Sequence, residues 1–255
     1  MDELKKDQLE VKILNNTKKM GEKAAQNVAD KMKEIIAEKG TVNMVFAAAP
    51  SQNEFLEALT NKKGIDWSNV VAFHLDEYVG LDYDSPNKFS SYLNQHLFDK
   101  VDFKEVYYID QKETEIEELV NRYTKLLKAN PIDIACIGIG ENGHIAFNDP
   151  HVADFTDPLN FKLVDLDQEC REQQVNDGCF ISVDKVPTHA LTMTVPSIIS
   201  ANYIYCMVPS SSKSQAVKDA IQGEITADCP ASVLRSHQRS ILYLDSNAAE
   251  LITSS

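Results

Sequence analysis

The chain has 255 residues, 43% of them hydrophobic and 25% charged, so it can bury the core of one large α/β domain (residues 1–255) and is not disordered throughout. Its formal net charge of −14 argues against nucleic acid or an anionic membrane as a partner. No apolar run approaches the roughly 20 residues that span a bilayer, and residues 1–19 lack the apolar core of a signal peptide, so we expect a soluble, cytoplasmic protein with free cysteine thiols.

Short β-branched runs alternate with helical patterns along the chain. Seven segments are predicted as strands: 42–46, 70–75, 106–109, 132–137, 191–195, 203–208 and 241–244. Six are predicted as helices: 17–39, 51–60, 88–98, 113–128, 212–222 and a short tail from 248. Several strands are apolar without alternation, which is typical of a sheet covered by helices on both faces. The sequence therefore predicts an open, mainly parallel α/β sheet.

Small and polar residues follow three of the predicted strands directly. These segments are residues 47–51, 76–78 and 138–144. In open α/β sheets, ligands bind outside the carboxyl ends of the strands. We therefore expect the three segments to converge on one ligand site. The irregular stretch 149–158 is interpreted either as an ordinary loop or as a lid over that site.

Two of these segments carry side chains that can move protons. Asp76 and Glu77 are adjacent at a strand end, so one can point into the crevice while the other turns away. A partly desolvated carboxylate there could remove a proton from carbon next to a carbonyl or imine, although an aspartate that caps a turn is common. His144, between Asn142 and Asp149, is either a proton shuttle or a structural histidine that holds a loop.

Two cofactor interpretations of the same segments are weaker. Residues 138–143 fit G-x-G-x-x-G, but a dinucleotide-binding turn opens into a helix, and Pro150 would break it early. The glycines are better explained by a tight turn around a small ligand. One set of side chains could coordinate a metal: Asp76, Glu77, His144 and Asp149. We expect no metal, because H-x-H, H-E-x-x-H and cysteine-cluster motifs are all absent from the sequence.

Several colinear motifs resemble one enzyme family. Residues 73–81, FHLDEYVGL, resemble the DEY-x-GL motif of the glucosamine-6-phosphate deaminase and galactosamine-6-phosphate isomerase family. Residues 138–150, GIGENGHIAFNDP, resemble its GHIxFNEP motif, and 186–192 resemble its VP-x-x-ALT segment. Lys213, Gly223 and residues 230–232 also fall where the family pattern places them. The resemblance runs from about residue 40 to the C-terminus.

The resemblance implies a Rossmann-like α/β fold and a metal-free reaction without organic cofactor. That reaction is isomerisation and deamination of an amino-sugar phosphate to a keto-sugar phosphate and ammonia. Asp76 would move the proton between C2 and C1, and His144 would open the sugar ring with help from Asn142 and Asp149. Two basic side chains would hold the phosphate: Arg171 and Lys213. The hexose epimer and any homo-oligomeric state remain open.

The chain also departs from the family pattern. Ala47, Ala48 and Ala49 replace a glycine-rich phosphate loop, so we expect backbone N–H groups, with help from Ser51 or Gln52, to bind any anion there. Asn142 and Asp149 stand where many members have aspartate and glutamate, and 151–158 do not resemble the segment of allosteric members. Two alternatives therefore stay open: a lactonase-like hydrolase on the same fold, and a sugar-phosphate sensor without catalysis.

Overall fold

The computed structural model describes residues 2–109 and 115–253, and an eight-stranded sheet lies at its centre. The strands, in chain order, are β1 (Asp2–Lys6), β2 (Leu9–Leu14), β3 (Val42–Phe46), β4 (Val70–His74), β5 (Asp76–Tyr78), β6 (Glu105–Tyr107), β7 (Ile134–Ile137), β8 (Phe161–Asp165), β9 (His189–Met193), β10 (Tyr203–Val208) and β11 (Ser240–Asp245). The helices are α1 (Thr17–Lys39), α2 (Asn53–Thr60), α3 (Phe89–Leu93), α4 (Ile116–Ala129), α5 (Gln168–Asn176), α6 (Val195–Ile199), α7 (Ser214–Gln222) and α8 (Glu250–Thr253).

The central sheet has the order β1-β2-β11-β10-β7-β3-β4-β6. Its neighbouring strands run parallel except β1 and β2, which form an antiparallel pair at one edge. The prediction of an open, mainly parallel α/β sheet is therefore confirmed. Chain order reverses around β7, which lies between β10 and β3, and such a switch point opens a crevice at the carboxyl ends of the strands.

Helices cover both faces of this sheet, as the unalternating strands predicted. Met44 of β3 packs in the cluster that contains α1 and α2, whereas its neighbour Val45 packs in the cluster of α4 and α7. Successive side chains of a strand point to opposite faces, so a strand buried on both sides needs apolar residues at every position. Among the described residues, no helix has both the length and the apolarity needed to cross a membrane.

The longest helix, α1, shows how the sequence sets its limits. Asn16 caps the first turn, because its side-chain oxygen accepts the N–H of Lys19 at 2.9 Å. Gly40 ends the helix in the left-handed conformation, at φ +81°. On the buried face, Gly21 lies so close to α2 that a Cβ there would come within 2.6 Å of the Glu54 carbonyl carbon. This contact places the start of α2 beside the crevice.

A second, three-stranded sheet corrects one prediction. Residues 191–195 were expected in the main sheet, but β9 (His189–Met193) lies between β5 and β8 in an antiparallel sheet of its own. The chain passes between the two sheets at Leu75, whose N–H donates to Phe46 O and whose carbonyl accepts from Met193 N. The small sheet therefore covers one side of the crevice and takes the residues after β4 out of the main sheet.

Other elements differ from the predictions in extent. The pair β1–β2, the strand β8 and the helix α5 were not predicted. β1 and α5 are largely charged or polar, whereas β2 and β8 are short segments that mix apolar with charged residues. The predicted helix 88–98 divides into α3 and a wider π-helical turn at Asn94–Phe98. In the predicted helix 113–128, residues 113 and 114 lie outside the described residues, and α4 starts at Ile116.

Candidate active site

A cleft of about 310 Å³ opens where β3, β4, β7 and β10 end. The three segments expected at a ligand site all contribute to it. Its lining includes Ala47, Ala48, Ala49, Asp76, Gly138, Gly140, His144, Pro209, Ser210 and Lys213. The alanine loop (Ala47–Ala49) reaches the cleft without left-handed backbone, since the positive-φ non-glycine residues of the described chain lie elsewhere.

Asp76 is fixed at the junction of the two sheets. As the first residue of β5 it pairs with Thr192 of β9, and its carbonyl accepts a hydrogen bond from Nδ1 of His74 at 3.0 Å. The other ring nitrogen of His74 accepts the N–H of Ile109 at 2.8 Å, so this buried imidazole is locked in its neutral form. Burial lowers the pKa of His74 to about 4. His74 therefore positions the backbone of Asp76.

The carboxyl group of Asp76 is desolvated while it faces the cleft. Burial raises its pKa well above the ordinary value, and the neighbouring Glu77 charge raises it further, against a hydrogen bond from the Phe147 N–H. A raised carboxyl pKa brings a general base closer to neutral pH, where proton transfer is most effective. The site therefore holds a carboxylate suited to accepting a proton from a bound molecule.

Glu77 turns away from the cleft, as alternation along β5 predicted. Its carboxylate accepts the backbone N–H groups of Tyr78, Phe89 and Ser90, and the hydroxyl of Ser90 at 2.8 Å. Burial still raises its pKa, although these hydrogen bonds lower it. Glu77 therefore anchors the start of α3 and does not line the cleft.

His144 is oriented by a hydrogen-bond relay of three residues. Its Nδ1 lies 2.8 Å from Oδ1 of Asn142 and 3.0 Å from Oδ1 of Asp149. Oδ1 of Asn142 also accepts the main-chain N–H of His144, while Nδ2 donates to Asp149 at 3.2 Å, which settles the orientation of the amide. Both oxygens can only accept, so Nδ1 carries the ring proton and Nε2 is the free acceptor.

Asp149 completes this relay as a buried carboxylate. Burial raises its pKa, but the hydrogen bond and charge of His144, together with the Asn142 amide, outweigh burial and leave the pKa below its ordinary value. Asp149 therefore stays ionised and accepts the hydrogen bond that holds the Nδ1 side of the His144 ring. The relay can support an imidazole that alternately accepts and donates a proton at Nε2.

Two residues of the cleft have a strained backbone. Ala146 has φ +49° and Ser210 has φ +85°, a region that side chains other than glycine rarely adopt. Ala146 follows the histidine relay and precedes Phe147, whose N–H donates to Oγ1 of Thr192 at 3.2 Å. Such strain persists where the surrounding structure holds the backbone in place, most often at functional sites. Because Thr192 pairs with Asp76, this contact joins the segment of His144 to the strand pair that carries Asp76.

The end of the cleft next to β10 combines a lysine with hydroxyl groups. Lys213 is buried, and within the described chain its Nζ has no hydrogen-bond partner. Oε1 of Glu141 lies 3.6 Å from that nitrogen. Ser51, Ser210 and Ser212 line the same cleft. A buried ammonium with no hydrogen bond is costly, so this end is suited to an anionic group such as phosphate.

Arg171, to which the resemblance assigned the phosphate, does not line the cleft. Its Nη2 donates to the carbonyls of Val183 and Val186 at 2.6 and 2.9 Å. The helix α5 instead turns three other residues to the cleft, which the sequence reasoning missed: Gln173, Gln174 and Asp177. The polar sequence of α5 has no apolar stripe that could have shown which face is covered.

Two groups of side chains in the described chain have the spacing of metal ligands. The first is His144, Asp149 and Cys170, all buried; the second is Asp149, His151 and Asp167, which is more exposed. Neither group includes Asp76 or Glu77. The four residues considered from the sequence therefore do not form one metal site, because Asp76 faces the cleft and Glu77 is held at α3.

Burial of Asp76 leads to a prediction about stability. Because its pKa is raised, the folded state binds the proton of Asp76 more tightly than the unfolded state does. The carboxyl group therefore lowers the free energy of unfolding, and this loss of stability grows as pH rises above the ordinary pKa of 3.8. Asp76→Asn removes the penalty and is expected to raise Tm by at least about 2 °C at pH 7. Calorimetric scans at pH 7 and pH 4 test this, since the gain should shrink at pH 4. Equal gains in the half-buried control Asp177→Asn would contradict it.

The fold and the cleft together define an α/β enzyme of the acid–base type, with a desolvated carboxylate and an oriented histidine at the carboxyl ends of a parallel sheet. Residues 15–243 match the family model described as glucosamine-6-phosphate isomerases/6-phosphogluconolactonase. The chain belongs to this family.

Individual relatives agree with the family match. The chain is 37% identical to a glucosamine-6-phosphate deaminase of Listeria monocytogenes serotype 4a and 38% identical to one of Listeria innocua, each alignment covering 94% of this chain and 99% of the relative. A monomeric glucosamine-6-phosphate deaminase of the NagB superfamily has a similar structure, with TM-score 0.85, 30% identity, and coverage of 94% and 99%. A 6-phosphogluconolactonase of Trypanosoma brucei, at 13% identity and TM-score 0.77 with coverage of 95% and 98%, shares the fold.

Proposed function

We propose that the chain is an amino-sugar-phosphate isomerase and deaminase. Its substrate is glucosamine-6-phosphate or galactosamine-6-phosphate, and its products are a keto-hexose-6-phosphate and ammonia, with consumption of one water. One observation carries the proposal: Asp76 and the oriented His144 line the same cleft in a chain of this family. The proposed reaction uses acid–base chemistry by side chains and requires no metal ion.

Ring opening is the first step, and it is the task of His144. In the pyranose form C1 bears a hydroxyl, and the proton on C2 is not acidic until a carbonyl forms at C1. Nε2 of His144 accepts the proton of the C1 hydroxyl and returns it to the ring oxygen. Asn142 and Asp149 hold the ring nitrogen Nδ1, so the imidazole keeps its orientation through both transfers.

Proton transfer between two carbons is the second step, and it is the task of Asp76. The carboxylate removes the C2 proton from the opened sugar and delivers it to C1, while a second proton passes from the amino nitrogen to the C1 oxygen. The amino aldehyde thereby becomes a ketimine at C2 with a hydroxyl on C1. Water then adds to C2 and ammonia leaves. One desolvated carboxylate can serve both carbons, because it accepts the proton at C2 and then donates the same proton at C1.

The charges of the cleft fit a substrate with both an ammonium and a phosphate. Glu54, Asp76 and Asp177 contribute carboxyl groups, and Lys213 contributes a buried ammonium beside hydroxyl groups. Such an arrangement complements a zwitterionic amino-sugar phosphate. A sugar-phosphate lactone has no cationic group for the carboxylates, so this observation favours the deaminase over the lactonase alternative. Lys213 is the side chain to which we assign the phosphate.

The test is ammonia release by the purified full-length chain. Glucosamine-6-phosphate and galactosamine-6-phosphate are each supplied, with 6-phosphogluconolactone as the comparison substrate. Ammonia from one amino sugar, with deuterium from solvent entering C1 of the product, is the expected result. Hydrolysis of the lactone without release of ammonia from either amino sugar would show that the chain is the lactonase-like hydrolase instead. Binding of both sugars without turnover would make it a sensor.

Glu141 gives a prediction about affinity. Its carboxylate lies 3.6 Å from Nζ of Lys213 and competes with a substrate phosphate for that ammonium. Glu141→Gln is expected to lower KM for the phosphorylated substrate about 3–10-fold, corresponding to roughly 1 kcal/mol for a partly exposed pair. The control Glu172→Gln removes one charge from the exposed face of α5 and should leave KM unchanged. A raised KM in Glu141→Gln would show that Glu141 assists the phosphate site.

A further inference from the structure

The relay behind His144 is also a set of three metal-ligating atoms. One ligand atom from each of His144, Asp149 and Cys170 lies within 4.8 Å of the other two. Nδ1 of His144 and Oδ1 of Asp149 are 3.0 Å apart. Tetrahedral zinc bonds of about 2.0–2.3 Å place ligand atoms roughly 3.3–3.8 Å from one another. Side-chain shifts of about 1 Å are therefore enough to bring the three atoms around one zinc ion.

Asp149 supplies an independent sign that a cation fits here. Its Oδ2 is fully buried and has no hydrogen-bond partner within the described chain. The buried thiol of Cys170 hydrogen-bonds to this carboxyl group, but a thiol is a weak donor. A buried carboxylate oxygen that has no stronger partner is costly, and a bound cation is one group that satisfies it. The unpartnered oxygen therefore belongs to the same cluster as the ligating atoms.

The ligand types select the metal. Imidazole, carboxylate and thiolate together are typical of zinc, whereas the hard cations magnesium and calcium avoid sulfur. Three protein ligands leave a fourth position for water, and one of the three, His144, also lines the cleft. The other half-buried or buried thiols of the chain, such as Cys179 and Cys229, are not members of the cluster.

We propose that His144, Asp149 and Cys170 form a zinc site whose occupation stops the proton relay. The Zn–S bond replaces the S–H bond of Cys170, and that proton goes to solvent. Zinc on Nδ1 displaces the proton that His144 shares with Asn142 and Asp149. The neutral ring then carries its proton on Nε2, so the nitrogen facing the cleft becomes a donor and no longer accepts a proton from a sugar hydroxyl.

The test begins with the metal alone, because coordination does not depend on the proposed reaction. Chelator-treated full-length protein is titrated with zinc by calorimetry in buffers of different ionisation enthalpy. One site, with release of about one proton per zinc, is expected. Cys170→Ser should weaken this binding at least about 100-fold, more than the loss of an outer-shell partner costs. Unchanged zinc affinity in Cys170→Ser would overturn the proposal.

Cobalt provides a second readout that identifies the ligand. Cobalt bound to the wild-type chain should show thiolate-to-metal charge-transfer absorption, which should vanish in Cys170→Ser and persist in the control Cys179→Ser. Cys170→Ala, compared by circular dichroism and thermal unfolding, separates loss of the ligand from loss of the fold. Wild-type turnover should fall with zinc and recover with chelator, while Cys170→Ser turnover resists zinc. A cobalt spectrum without the thiolate band would refute the site even if zinc inhibits.

Discussion

Asp76→Asn is expected to lower turnover roughly 10²–10⁴-fold, the usual contribution of one positioned acid or base. The amide has nearly the shape of the carboxyl group but cannot accept the C2 proton. The backbone contacts that fix position 76, the pairing with Thr192 and the hydrogen bond from His74, do not involve the side chain and should persist. The fall should therefore lie in kcat, with KM changed little.

Two measurements separate this loss from general damage to the cleft. Exchange of solvent deuterium into C1 and C2 of the sugar should disappear in Asp76→Asn, because the same group performs both transfers. The control Asp177→Asn neutralises another carboxylate of the same cleft and should keep turnover within about tenfold. Retention of exchange in Asp76→Asn would assign the base to another residue.

The raised pKa of Asp76 also sets the acid limb of the pH profile. The base must be ionised to accept a proton, so kcat/KM should rise with pH through a pKa well above the ordinary aspartate value of 3.8. Burial is the main cause of the shift, and the charge of Glu77 adds to it. The acid limb should be absent from the residual activity of Asp76→Asn.

The central sheet and the presence of Asp76 and His144 in one cleft were predictable from the sequence for a physical reason. Parallel strands buried on both faces are continuously apolar, and β3 and β10 have the predicted limits. Because carboxyl ends of parallel strands meet at one edge, residues that follow separate strands must converge there. From this rule alone, the sequence predicts that Asp76 and His144 lie at the same edge of the sheet.

The small sheet and the outer wall of the cleft could not be predicted in the same way. The residues of β1 are charged and mostly exposed at a sheet edge, so they carry no burial pattern. The helix α5 is polar on all sides, and its register decides that Gln173 faces the cleft while Arg171 holds two loop carbonyls. Tertiary contacts decide which side chains of such a helix face the cleft, and residue spacing along the sequence does not predict those contacts.

Gly140→Ala is expected to lower turnover about 100-fold by displacing His144. A Cβ at position 140 would lie 2.1 Å from Cε1 and 2.3 Å from both nitrogens of the ring, far inside van der Waals contact. The backbone of Gly140 is not in the left-handed region, so alanine is compatible with the backbone there and the closest clash is with the ring. A shift of about 1 Å at a reacting group costs roughly 10²-fold.

The loop cannot relieve this clash by moving. The N–H of Gly140 donates to the carbonyl of His144 at 2.9 Å, and its own carbonyl accepts from Gly143 at 3.1 Å, so the turn is closed on itself. The ring must therefore leave Asn142 and Asp149, and ¹⁵N spectra of the imidazole should show loss of the Nδ1–H form. In the control Gly138→Ala the nearest atom to the Cβ is Nε2 of Gln52, at 3.1 Å, and the next two, Met207 O and Ser51 Oγ, lie at ordinary contact distances of 3.5 and 3.6 Å, so turnover should fall less than about fivefold. Full activity in Gly140→Ala would mean that the position of this ring does not limit catalysis.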